Sequence, residues 1–257
     1  MKIKFTLLLV IIFLTSGVSS KEVQHVLFIG NSFTYRNHLP KMFGELAKSN
    51  GKQVDVQWNV RGKTSFYQHE GRPELFKAIR WKKWDIVVLQ GSSRDFLKGD
   101  AYLQKRTLPA LRTMIHAIRE RNPDVKIVFY MTWAYKNGYK PIARANTFIK
   151  MTNLVAKEYL EVAKLFDASV APVGLFWKNL KAKNPKIKLH QPDRGHPSKL
   201  GSFATACCMY CTFYEEPVQK IPLTQSSIKY ADYIRRSANQ FVLSNHWKTE
   251  VLSSKNK

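Results

Sequence analysis

Acidic side chains are scarce in this 257-residue chain, with 18 Asp and Glu against 42 Lys and Arg and a formal net charge of +24. Such an imbalance favours anionic partners such as acidic polysaccharide, lipopolysaccharide, phospholipid surfaces or nucleic acid, and does not choose among them. Cysteine is nearly absent. Its three copies, Cys207, Cys208 and Cys211, crowd into "FATACCMYCTFY", which excludes a disulfide framework. A zinc site would need further ligands that the neighbouring sequence does not supply, so they read as small core residues of a buried helix. An oxidised pair is the alternative in an exported protein. Internal repeats, low-complexity stretches and Gly/Ser linkers are all missing, so nothing marks a domain boundary. Beyond residue 20 no apolar run is long enough to cross a bilayer.

The chain opens with the pattern of a secretory leader. A basic start, "MKIK", precedes the apolar run "FTLLLVIIFL" and the small-residue stretch "TSGVSS", with Val18 and Ser20 placed for cleavage. Residues 1–20 are therefore expected to be a signal peptide, with a retained N-terminal anchor as the alternative. The remaining 237 residues, 21–257, suit one large α/β domain. It is expected to act as a monomer, secreted or in a periplasm.

Short β-like runs alternate with helical stretches. "HVLFIG" (25–30), "VDVQWNV" (54–60), "DIVVLQ" (85–90), "KIVFYMTW" (126–133) and "ASVAPV" (168–173) are the predicted strands. Amphipathic or charged stretches lie near 38–50, 72–83, 99–121 and 141–164, and the tail after about 225 reads as a further helix followed by a frayed polar end. The alternation predicts a five-stranded parallel sheet covered by helices on both faces. Right-handed crossovers bring every strand's C-terminal end to one edge, where ligands bind. Strand one leaves the sheet at Gly30-Asn31-Ser32, strand two at "RGKTS" (61–65) and strand three at "QGSSRD" (90–95).

A serine hydroxyl becomes a useful nucleophile only when a base takes its proton, and that base is usually a histidine fixed by a carboxylate. Ser32 is the first hydroxyl after strand one. "DRGHP" offers His196 with Asp193 three residues before it, close enough to reach the imidazole from the same loop. Pro197 keeps His196 out of helical geometry, and Ser198 is a suitable N-cap for the helix that follows. Of the seven histidines only His196 has this setting. His69 reads as a surface residue, or less simply as part of a pocket lining. Trp133 and Tyr135 read as core closure or as a platform for a sugar ring.

Taken together, "IGNSFT", Gly62 in "VRGKTS", the loop "LQGSSRD" and "DRGHP" resemble the SGNH or GDSL-like hydrolases, in a branch with Gly-Asn-Ser in place of Gly-Asp-Ser. The resemblance implies a three-layer α/β sandwich whose sheet is flavodoxin-like. It implies a serine esterase with Ser32, Asp193 and His196 as its catalytic residues, and an oxyanion hole built from the N–H groups of Ser32 and Gly62. It calls for no metal or organic cofactor. The third motif departs from the family, which usually carries Gly-x-Asn-Asp there. Gln90 is the expected replacement for the missing Asn because it keeps an amide; Ser93 is the alternative, aligned when Gly91 is taken as the anchor. One such donor is typically worth about 10²–10³ in turnover.

Arg61, Arg94 and Arg194 stand beside these motifs and are the expected substrate-binding cations. "KNLKAKNPKIK" (178–188) adds five lysines just upstream of the His196 loop. The expected substrate is an ester, small or on a polysaccharide, anionic, and most simply an O-acetylated acidic glycan. A lysophospholipase or thioesterase, or a glycan-binding relative without turnover, are the other readings. Specific nucleic-acid binding is not expected, since no reading element is present.

Overall fold

The computed structural model describes residues 22–253, so the leader expected over residues 1–20 lies outside the described part. The run "VLFI" has no polar alternation, and a strand made from it must bury both faces. In β1 (Gln24–Gly30) Val26 and Phe28 enter one core while Leu27 and Ile29 enter another. The single helical turn α1 (Ser32–Tyr35) follows at once, then α2 (Leu39–Ser49), with Pro40 in its first turn. β2 (Val54–Val60), α3 (Phe66–Glu70) and α4 (Pro73–Trp81) come next. Ser65 and Gln68 form a reciprocal capping box at the start of α3.

After β3 (Ile86–Leu89), the short α5 (Asp100–Tyr102) runs through a π-helical turn, Leu103–Thr107, into α6 (Leu108–Arg121). β4 (Lys126–Tyr130), α7 (Phe148–Leu165), β5 (Ser169–Ala171) and α8 (Val173–Lys183) follow. The remaining helices are α9 (Lys199–Tyr214), α10 (Leu223–Ser226), α11 (Ala231–Leu243) and α12 (His246–Ser253).

All five strands pair in parallel, in the order β2-β1-β3-β4-β5. One face packs on α2, α8, α9 and α11, the other on α4, α6 and α7, so the architecture is the expected three-layer sandwich. The strand order reverses at β1. Chain segments leaving β1 and β3 turn to opposite faces there and open a crevice at their C-terminal ends. Ser32 and the loop 90–95 therefore share one edge.

Two features differ from the sequence reading. The fourth strand stops at Tyr130, and Met131 instead bonds Ala171 and Gly174 through its backbone. The tail does not simply fray: Trp247 of α12 is buried in the core on the α7 face, and that burial outweighs the polar character of its neighbours. Among the described residues, no helix is long and apolar enough to cross a membrane. The three cysteines are buried, unpaired core residues.

Candidate active site

The turn that carries Ser32 is held from two sides. Asn31 caps α1 by accepting from the Phe33 N–H at 3.1 Å, while its Nδ2 donates to the Thr64 carbonyl at 3.0 Å. This one side chain ties the end of β1 to the loop after β2. From β3, Gln90 Oε1 accepts from the Asn31 N–H and from Thr34 Oγ1, both at 2.8 Å. Such a close approach requires Gly30, because a β-carbon there would collide with Thr34 Oγ1 and stand 2.6 Å from Gln90 Oε1.

His196 sits on a loop clamped to the same edge. Asp193 Oδ1 accepts from the N–H groups of Gly195 and His196, at 3.0 and 2.9 Å. The backbone of Gln191 bonds His196, Ser198 bonds Leu189, and Ser198 Oγ caps α9 at the Gly201 N–H. An aromatic stack joins this loop to the serine. Trp177 lies flat on Trp133 at 4.0 Å between centroids, and Trp133 lies on Phe33 at 4.6 Å. The Trp133 indole N–H donates to the Gly195 carbonyl at 2.9 Å, and Phe33 meets the His196 ring edge-on at 5.8 Å. Trp133 is fully buried, so it closes the core and braces both loops, and it offers no platform to a sugar. Asn37 adds a second tie, donating to the Pro197 carbonyl at 3.0 Å and to Ser202 Oγ at 2.9 Å.

These constraints set three side chains in line. His196 Nδ1 is 2.6 Å from Asp193 Oδ2, and His196 Nε2 is 2.9 Å from Ser32 Oγ. With a carboxylate on one nitrogen, the neutral ring carries its proton on Nδ1, and Nε2 is left to accept from the serine hydroxyl. Partial desolvation opposes ionisation of Asp193, but the bonds from Gly195 and His196 outweigh it and hold the carboxyl at about 2. A negative charge is thus fixed behind the imidazole. The N–H groups of Ser32 and Gly62 have no acceptor among the described residues. Gly62 lies against the Ser32 turn, with the Tyr35 hydroxyl 3.1 Å from where its β-carbon would stand.

Gln90 does not face this group. It is fully buried, its Oε1 holds the serine turn, and its Nε2 donates to the Gly91 carbonyl. The amide expected at the oxyanion has both its oxygen and its nitrogen engaged in holding the chain, which makes it a scaffold element. Ser93 is no substitute: it is buried and bonded to Thr132 Oγ1. From this loop Ser92, Arg94 and Asp95 line open space. Arg61, Arg94 and Arg194 are all exposed, and of the three only Arg94 lines the cavity next to the site. His69 is fully buried, with Nδ1 3.2 Å from Arg72 Nη1, which corrects the surface reading. Burial and the nearby Arg72 and Arg61 cations lower its pKa to about 4. Among the described residues, no three His, Cys, Asp or Glu side chains cluster closely enough to hold a metal ion.

Residues 14–202 match the family described as GDSL-like lipase/acylhydrolase. A DUF4886 family protein from Bacteroides uniformis superposes with a TM-score of 0.73 at 19% identity, covering 86% of this chain and 95% of its own. A candidate SGNH hydrolase from Slackia heliotrinireducens gives 0.60 at 23% identity, over 75% of this chain and 100% of its own. A variant of an acetyl-xylooligosaccharide esterase from Geobacillus gives 0.52 at 17% identity, over 77% and 97%. At these identities the likeness is one of fold. No curated protein sequence is significantly similar to the chain.

Proposed function

The chain belongs to the GDSL-like lipase/acylhydrolase family and is an ester-bond hydrolase, and from that premise we propose that it removes O-acetyl groups from a carbohydrate through an acyl-enzyme on Ser32. The observation that carries this reading is the line Ser32–His196–Asp193, with its contacts of 2.9 and 2.6 Å. As Ser32 Oγ attacks the ester carbonyl carbon, its proton passes to His196 Nε2, and Asp193 stabilises the imidazolium that forms. The N–H groups of Ser32 and Gly62 receive the negative charge that develops on the carbonyl oxygen. His196 then gives that proton to the departing sugar oxygen, which leaves as a hydroxyl. Water, deprotonated by the same ring, attacks the acyl-serine, and acetate leaves as the proton passes from His196 to Ser32 Oγ.

The polar loops around the serine favour a sugar over a lipid alcohol, and one fold relative is an acetyl-xylooligosaccharide esterase. The leader-like start of the sequence supports action outside the cytoplasm. Acetate release from a panel of acetylated polysaccharides, by wild type and by Ser32→Ala, tests the proposal. Wild type alone should release acetate and alone should be labelled by a fluorophosphonate. If no substrate separates the two proteins, the reading fails.

A further inference from the structure

Beside the loops that follow β2 and β3 lies a cavity of about 620 Å³ that the acyl-transfer groups leave free. That volume lies within the range of about 300–1,000 Å³ usual for small-molecule sites. Lys63 and Ser65, just after Gly62, line it from the loop after β2. Ser92, Arg94 and Asp95 line it from the loop after β3. Tyr102, Arg106 and Tyr139 join them from later in the chain. Tyr139 touches Tyr135, with ring centroids 6.2 Å apart, and the Tyr135 ring lies 3.7 Å from where a β-carbon on Gly195 would stand. Two side chains therefore separate the cavity from the residue next to His196.

The lining is cationic and already ordered. Lys63, Arg94, Lys98 and Arg106 face a single carboxylate, Asp95. Asp95 is buried and engaged with Lys98 at 3.3 Å, which leaves Lys63, Arg94 and Arg106 without an acidic partner within 4.0 Å among the described residues. Arg106 is held over the Tyr67 ring at 4.6 Å and Lys98 over the Tyr102 ring at 3.8 Å. Arg106 also belongs to the π-helical turn Leu103–Thr107, a local rewinding that shifts side-chain directions and recurs at functional sites. Apolar lining is limited to Leu97, Pro141 and Ile142, too little for an acyl chain. Arg106, without an acidic partner and held over a tyrosine ring, with Arg94 and Lys63 lining the same cavity, suits a ring-shaped ligand that carries a carboxylate.

We infer that this cavity is a subsite for an acidic sugar, a uronate residue of the glycan whose ester Ser32 attacks. Its carboxylate meets Arg94 and Arg106, and its ring packs against Tyr67 and Tyr139. The inference rests on the carbohydrate esterase reading and adds to it the charge of the substrate and the place where that charge is read.

Calorimetry on the Ser32→Ala protein, which needs no turnover, tests the subsite directly with trigalacturonate and, as the neutral counterpart, xylotriose. Trigalacturonate should bind, weakening as salt is raised, and xylotriose should bind at least tenfold more weakly. Adding Arg94→Gln and Arg106→Gln should weaken trigalacturonate binding by about tenfold per guanidinium removed. In the protein with Ser32 intact, the ratio of kcat/KM for acetylated acidic over acetylated neutral oligosaccharide should fall by the same factor, through KM. Equal affinity for the two trisaccharides, or a ratio untouched by both substitutions, overturns the inference. A Ser32→Ala protein that still released acetate would instead overturn the hydrolytic reading, while leaving the binding result to stand on its own.

Discussion

Replacing Gln90 by Leu separates a scaffold role from an oxyanion role. The substitution roughly conserves volume but removes the acceptor of two buried donors, the Asn31 N–H and the Thr34 hydroxyl. A buried polar group left without a partner costs about 1–3 kcal/mol. With two such groups, one of them a hydroxyl free to rotate towards another acceptor, the expected loss is about 2–4 kcal/mol. For a domain of this length each kcal/mol lowers Tm by roughly 2–4 °C, so Gln90→Leu should melt about 4–16 °C below wild type. Thermal unfolding and hydrolysis of p-nitrophenyl acetate, normalised to folded protein, read the two effects separately. Gly30→Ala should give the same pattern, since its methyl would press on Thr34 and Gln90 without removing any hydrogen-bonding group. An oxyanion donor would behave the opposite way, with unchanged Tm and a fall in kcat of about 10²–10³. A Gln90→Leu protein with that second profile refutes the scaffold assignment.

Ser32→Ala should lower acetate release by about 10⁴–10⁶ at unchanged stability, checked by activity alongside thermal melting. Asp193→Asn should slow hydrolysis by up to about 10⁴ across the neutral range, because it removes the charge behind His196 and favours the wrong tautomer. The Asp193 pKa is held at about 2, below its ordinary 3.8, so its contribution to stability is present above pH 4 and is lost as pH falls from about 4 to 2. Acid unfolding of Asp193→Asn should lack that component. His69 is buried with a pKa of about 4 against an ordinary 6.5, so the unfolded chain binds its proton first as pH falls. Stability should therefore decline between pH 6.5 and 4, by up to roughly 3 kcal/mol. Urea titrations of wild type and His69→Phe over that range should differ in slope; parallel curves would contradict the assignment.

Much of the site was legible because its partners are local. Asp193 and His196 share one loop, Pro197 and Ser198 fix how that loop enters α9, and Ser32 follows directly on a strand that nothing polar interrupts. The strand-end rule then places Gly62 and the loop 90–95 beside them. The role of Gln90 is not legible in the sequence because its chemistry, an amide, is the same in either role, while the bonds it makes depend on the close approach over Gly30. Arg106 and Tyr139 gave no signal, since residues 33 apart in sequence become neighbours only through the packing of the loops after β3 and β4. The Trp177–Trp133–Phe33 stack was hidden for the same reason, as was the tie from Asn37 to Pro197.

The sequence alone determined the parallel α/β sheet, through apolar runs that must be buried on both faces, and nominated the serine, the histidine and the carboxylate, through chemistry that tolerates few residue types. Tertiary structure decided which groups face the serine and which merely hold it. That division depends on a few ångströms of free space around Gly30, and on rings and cations brought together from distant loops at the edge where the strand order reverses.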